Sequence, residues 1–364
     1  MKMKKLIAFT LALFLAITLA ACGDSGDTQN DNTATKPDSL QGDAGFNHKE
    51  DNEQSSGQTS EANTNSQQED VNSAFTEDID NISVDIIATN AYVLDVDTNS
   101  VLFQKNSDVH IAPASTAKML TALTVLDYCS LDDTITVGSE IDLIASNSSR
   151  AGLNYGDTLT VKQLLVAMLL PSGNDAAYTL AVNAGKRIAG KDGLGVQQAV
   201  KVFIDAMDLK AKGVGATSSN FISPDGYDAD GQYTTAFDLA QIAKACLGND
   251  ALSEIMSSYK IYDTWRNGRE VTYYNTNNLL NPDSQYYYSN AVGLKTGSTG
   301  DAGSCLVSAA AINGQTYICV VMGSSAETRF SDCLTVFSAI DPTISLPQEN
   351  HAAPSAAPGG LMRR

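Results

Sequence analysis

Three short strings constrain this chain more than anything else in it: Ser115-Thr116-Ala117-Lys118, Ser172-Gly173-Asn174 and Lys295-Thr296-Gly297, in that order inside one stretch of globular composition. Each is unremarkable alone, since a Ser-x-x-Lys string in isolation reads as a serine at a helix start followed by a solvated lysine. Together they demand a fold that gathers a hydroxyl, two amines, an amide and a glycine-bearing strand around one point, which are the parts of an acyl-transfer site.

A serine nucleophile needs a base, and the usual one is scarce. The chain has three histidines; His48 and His351 fall in its non-globular ends, and His110 sits at a strand-to-helix junction suited to a surface or packing role, so a Ser-His-Asp triad is disfavoured. No His-Glu-x-x-His string, Cys-x-x-Cys pair or glycine-rich phosphate loop is present, which argues against a zinc hydrolase and a nucleotide enzyme. A lysine one helical turn from the serine remains, and desolvation plus a second nearby cation both help its ammonium lose a proton. Ser115 is therefore expected as nucleophile and Lys118, partly buried between two lobes, as its general base, with Lys295 as the second cation.

The other motif residues fit around that pair. The Ser172 hydroxyl is placed to pass a proton toward a leaving amine, and the Asn174 amide to bind a substrate amide and hold Lys118. Lys295 and Thr296 suit a terminal carboxylate, with Gly297 letting a substrate backbone lie along the strand. The backbone N–H groups of Ser115 and Ser298 are the expected oxyanion donors. No cofactor or metal is called for.

The ends are not globular. Residues 1–21 carry a basic start (Lys2, Lys4, Lys5) and a short apolar run, which reads as a signal peptide. Leu19-Ala20-Ala21-Cys22 resembles a bacterial lipoprotein cleavage box, implying that Cys22 is the lipidated first residue of an exported protein held at the outer face of the membrane. Residues 22–80 are rich in Asp, Glu, Asn, Gln, Ser and Gly, with Lys36 and Lys49 as the only cations, and read as a solvated, self-repelling tether. Much of the net charge of −19 sits there, and it argues against nucleic acid as a partner. Residues 343–364 read as a frayed tail. The five cysteines after Cys22 have no metal-like spacing and are expected to be buried small hydrophobes, a bridge between two of them staying open.

Residues 81–342 remain as one catalytic domain. Residues 88–105 alternate around Asp97-Thr98-Asn99-Ser100 and suggest a hairpin. Apolar residues at helical spacing predict helices beginning near Pro113 and over 159–170, 175–188, 196–209, 236–247 and 326–340, the fifth capped by Thr234 or Thr235 and closed by Gly248. Asn267-Gly268 and Asn313-Gly314 mark hairpins, the second between strands 305–311 and 315–322, with Lys295-Thr296-Gly297 on an adjacent strand. Strands at both ends with helices between them suggest an α/β fold: an antiparallel sheet completed by the two ends of the region and an inserted helical subdomain, with the active site between the lobes.

Over roughly residues 88–340 the chain resembles the D-alanyl-D-alanine carboxypeptidases, the low-molecular-mass penicillin-binding proteins. The resemblance extends to Ala112-Pro113-Ala114-Ser115, Pro171-Ser172-Gly173-Asn174-Asp175-Ala176-Ala177, Gly293-Leu294-Lys295-Thr296-Gly297-Ser298-Thr299 and Asn220-Phe221-Ile222-Ser223-Pro224-Asp225-Gly226-Tyr227. It implies a β-lactamase/DD-peptidase-like fold with a five-stranded sheet. It also implies removal of the terminal D-alanine from peptidoglycan stem pentapeptides through a seryl acyl-enzyme, and covalent inhibition by β-lactams at the same serine. Many members carry a C-terminal β-rich domain and an amphipathic anchor helix; here the N-terminal lipid is expected to replace that anchor. Some relatives place an arginine before the third motif, where Asn275-Thr276-Asn277 has none, so carboxylate binding would lean on Lys295 and Thr296.

Three alternatives share the motifs. A class A-like β-lactamase needs a carboxylate for its deacylating water, usually in a Glu-x-x-Leu-Asn string, and none occurs between Asp175 and Leu294. A transpeptidase differs only in accepting an amine in place of water. A lipid-anchored sensor that binds β-lactams or wall peptides without turnover would be marked by an altered motif residue, and all are intact. Oligomeric state is not legible.

Overall fold

The computed structural model describes residues 82–347. The expected signal peptide, Cys22, the tether and the tail beyond 347 lie outside the described residues. Five strands form one antiparallel sheet: β1 Asn90–Asp95, β2 Val101–Lys105, β7 Ala291–Thr299, β8 Gly303–Ile312 and β9 Gln315–Ser324, in the order β2-β1-β9-β8-β7. The expected hairpins are present. Asn313 and Gly314 both have positive φ (53° and 84°), the geometry that lets a two-residue turn match strand twist.

Between β2 and β7 lie the helices α1 Lys118–Tyr128, α2 Val161–Leu169, α3 Asn174–Ala189, α4 Val196–Gly213, α5 Ala236–Leu247 and α6 Asp250–Ser257, and α7 Thr328–Ile340 closes the fold. Two small ribbons, β3 Thr134–Thr136 with β4 Thr158–Thr160 and β5 Lys260–Thr264 with β6 Glu270–Tyr274, complete it. The predicted helix over 159–170 begins two residues later. Its first residues are spent on β4, and Thr160 then forms a capping box with Gln163. Thr235 caps α5 as expected, accepting from the Asp238 N–H. Gly248 is not a left-handed stop: its φ is −74°, because the chain turns directly into α6, which the Asn249 side chain caps.

The long strands look uniformly apolar because the sheet is covered on both faces. Along β1, Ala91 and Val93 join the cluster under α7, while Tyr92 and Leu94 join the cluster shared with the helices; Cys319/Val321 and Ile318/Val320/Met322 divide the same way along β9. Helix α1 is buried from Lys118 through Val125, so it is the axle of the helical lobe and not an amphipathic surface helix. Packing runs a little past the expected boundary at 342, where Ile344 leans on the α7-side cluster. Cys129, Cys246, Cys305, Cys319 and Cys333 are free and buried, and burial raises the Cys305 thiol to about 11.

Candidate active site

Ser115 sits not in α1 but in the 3-10 turn Ala114–Ala117 that leads into it, with the Thr116 N–H and hydroxyl both donating to the Pro113 carbonyl. The tighter turn matters because residues three apart eclipse one another in 3-10 geometry. Lys118 Nζ consequently lies 2.7 Å from Ser115 Oγ. Two backbone segments clamp this turn. A Cβ at Gly226 would stand 1.8 Å from the Ala114 carbonyl oxygen, and one at Gly297 would stand 2.9 Å from Ala114 Cβ and 3.1 Å from Ser115 N. Gly297 is thus required by the close approach of β7 to the nucleophile's own backbone, a reason different from the substrate clearance expected of it.

Lys118 is completely buried, not partly. Its second contact is the Asp225 carbonyl, 2.9 Å away, the positioning role expected of Asn174. Burial lowers its pKa to about 8, opposed by the carboxylates of Asp225 and Asp175, which favour the ammonium. Lys295 is buried as deeply, and its Nζ donates to the Thr296 carbonyl at 3.0 Å. Burial, then the charges of Lys118 and Arg329, hold it well below the ordinary lysine value. The repulsion between the two buried lysines works against a proton on either of them.

The second motif turns the corner between α2 and α3. Ser172 is buried with φ +65°, a left-handed conformation few serines adopt. A Cβ at Gly173 would lie 2.6 Å from Ala151 Cβ and 2.8 Å from the Ala167 carbonyl oxygen, so only glycine fits. Asn174 N donates to the Ser149 carbonyl, and Ser149 Oγ donates to the Ser172 carbonyl at 2.6 Å and approaches Asn174 Oδ1 at 3.4 Å. Asp175 accepts from the N–H groups of Ala151, Gly152 and Leu153, pinning the loop that carries Ser149 to the start of α3.

The third motif lies on β7 at the edge of the sheet. Thr296 Oγ1 shares a hydrogen bond with Thr276 Oγ1, and exposed Ser298 pairs with Ser304 across β8. Arg329 of α7 reaches under the strand, its Nη1 donating to the Gly297 carbonyl at 3.0 Å. The stretch before the third motif has no arginine, but the fold delivers a guanidinium from beyond it.

These elements enclose a cleft of about 220 Å3 in which Ser115, Asn174 and Ser298 face Asn147, Ser148, Ser149, Tyr227, Asp228 and Gly300. The Tyr227 hydroxyl donates to Asn147 Oδ1, joining the loops on its two sides. Six described non-glycine residues have positive φ; three are asparagines, and the others are Ala114, Ser172 and Leu294, one beside or within each motif. Strain of this kind persists only where packing over-determines it. Ser149, Asp225, Tyr227, Asp228 and Arg329 were not foreseen as site residues. Asp225 and Tyr227 lie in the Asn220–Tyr227 stretch that carries the family resemblance; Ser149, Asp228 and Arg329 have no local signal.

A sheet flanked by helices, with a serine and lysine one turn apart facing a Ser-Gly-Asn corner and a Lys-Thr-Gly edge strand, defines the DD-peptidase class of penicillin-binding folds. The chain belongs to the D-alanyl-D-alanine carboxypeptidase family, whose pattern matches residues 73–326. A D-alanyl-D-alanine carboxypeptidase of a Streptomyces species is 34% identical over 273 residues, spanning 70% of this chain and 87% of that protein. DacF of Bacillus subtilis is 30% identical over 241 residues, 65% of this chain and 58% of the relative. Among solved structures, a Streptomyces DD-transpeptidase matches with a TM-score of 0.64 at 33% identity, covering 71% of this chain and 98% of that one. An ampicillin-bound penicillin-binding protein of Listeria monocytogenes matches at 0.57 and 26% identity, with the same coverage.

Proposed function

We propose that this serine-type D-Ala-D-Ala carboxypeptidase trims the terminal D-alanine from peptidoglycan stem peptides by the following division of labour. Neutral Lys118 takes the Ser115 hydroxyl proton as Oγ attacks the carbonyl carbon of the penultimate D-alanine. The N–H groups of Ser115 and Ser298 hold the oxyanion, while buried Lys295 and half-buried Arg329, with the Thr296 hydroxyl, receive the terminal carboxylate. The carbon–nitrogen bond then breaks, Ser172 relays a proton to the departing amine, and water cleaves the ester to restore Ser115. Asn174 binds the amide on the acyl side. A β-lactam meets the same serine, but its leaving amine stays tethered, so the ester persists.

The observation that carries this reading is the 2.7 Å contact between Ser115 Oγ and a fully buried lysine whose pKa lies near neutrality. The signal-like residues 1–21, a lipidated Cys22 and the acidic tether supply the rest of the proposal: an enzyme held by lipid at the outer face of the membrane, facing the wall. D-alanine release from a synthetic stem pentapeptide, beside Ser115→Ala and with an amine acceptor in parallel, tests it. Release lost in the variant supports trimming by Ser115. Product carrying the acceptor in place of water would move the reading to transpeptidation, and penicillin labelling without any turnover would leave only a sensor. Mass of the mature N-terminus decides lipidation.

A further inference from the structure

One charged side chain lines the cleft, and the mechanism above does not use it. Asp228 follows the Asp225–Tyr227 turn; its Oδ2 accepts from the Asp301 N–H at 3.2 Å, and a Cβ on Gly300 would lie 3.7 Å from the same oxygen. Its Oδ1 is buried without a hydrogen-bond partner among the described residues. A carboxylate oxygen withheld from water and unmatched is costly unless something charged comes to it.

Its place along the substrate follows from β7. With the terminal carboxylate at Lys295 and Thr296 and the reacting carbonyl at Ser298, the acyl portion runs on toward Thr299 and Gly300. An extended peptide rises about 3.4 Å per residue, as the strand does. The residue before the reacting D-alanine therefore comes level with the end of β7, where Asp228 stands, within reach of a long side chain.

We propose that Asp228 is a specificity-determining residue that selects stem peptides carrying a free ammonium on the side chain preceding D-Ala-D-Ala, the ammonium completing Oδ1 by a charge-assisted hydrogen bond. This rests on the carboxypeptidase reading for the direction of the substrate. The test compares Nα-acetyl-L-Lys-D-Ala-D-Ala with its Nε-acetylated form. For the wild-type protein kcat/KM favours the free amine by about tenfold, a charged hydrogen bond's worth, and Asp228→Asn brings the ratio close to one. The same two peptides titrated onto Ser115→Ala, with and without Asp228→Asn, give the preference as a Kd ratio that needs no turnover. A Kd ratio near one with Asp228 intact, or a preference unchanged by Asp228→Asn, overturns the proposal. So does an equal loss on both peptides, which would place Asp228 in the hydrolytic machinery instead. Absence of turnover with a Kd preference that vanishes in Asp228→Asn would overturn the carboxypeptidase reading and leave the ammonium site standing.

Discussion

The two faces of the five-stranded sheet are built from the same alternation and put to opposite uses. Under α7 the buried side chains are almost all apolar, with Leu306, Val321, Phe330, Leu334 and Phe337 in one cluster. On the other side the sheet meets the nucleophile's turn, and there the protein buries two lysines, leaves three non-asparagine side chains in left-handed backbone and depends on glycines with no room for a Cβ. One face supplies stability. The other gives some of it up to desolvate amines and press a strand against Ser115, a trade common at functional sites.

The contrast can be broken most sharply at Ser115. Ser115→Ala should cut D-alanine release and penicillin labelling by at least about a thousandfold, with thermal unfolding unchanged because Ser115 contributes little packing. The converse change is Phe337→Ala, which should cost about 3–5 kcal/mol of unfolding free energy, read by denaturant titration, while kcat/KM per folded molecule stays put. If Phe337→Ala damages kcat/KM as well, the two faces are not separable.

Acidity sharpens the same contrast. Activity requires neutral Lys118, whose pKa is about 8, so kcat/KM should be full above that value and fall about tenfold per pH unit below it. A flat profile down to pH 6 would remove Lys118 from the base role. Lys295→Met should weaken substrate binding yet raise the melting temperature by about 2–4 °C, roughly 1 kcal/mol in a domain of this size. The sign follows from linkage: with a native pKa held well below the ordinary 10.5, the unfolded chain binds the extra proton between those values. Wild-type stability therefore climbs with pH in that window and the gap to Lys295→Met narrows toward 10.5. Smallest of all, Lys201→Ala breaks an exposed pair with Asp205 one helical turn away and should shift stability by no more than about 0.5 kcal/mol.

Elements with strong local signals were legible in the sequence. Asn313-Gly314 announced its hairpin through the left-handed backbone those residues accept, and helix α5 was found to the residue because Thr235 and the apolar stripe agree. Short elements were not: β3, β4 and α6 are held by partners distant in sequence, and a three-residue strand has no period to detect. The motif residues followed the same rule. Ser115 and Lys118 declare each other at a spacing of three, whereas Asp225 serves Lys118 through a backbone carbonyl, which no side-chain pattern reveals.

The sequence by itself determined the chemistry on offer: a serine, lysines and an amide in three ordered motifs, and too few histidines for another base. Tertiary structure alone decided how that chemistry is tuned. Full burial, against the pull of the Asp225 and Asp175 carboxylates, brings the Lys118 pKa down to about 8. The guanidinium missing before the third motif arrives from α7, and Gly226 and Gly297 matter because two distant backbones close on the turn holding Ser115. These are effects of desolvation and of contact between residues far apart in the chain, and both exist only once the chain has packed.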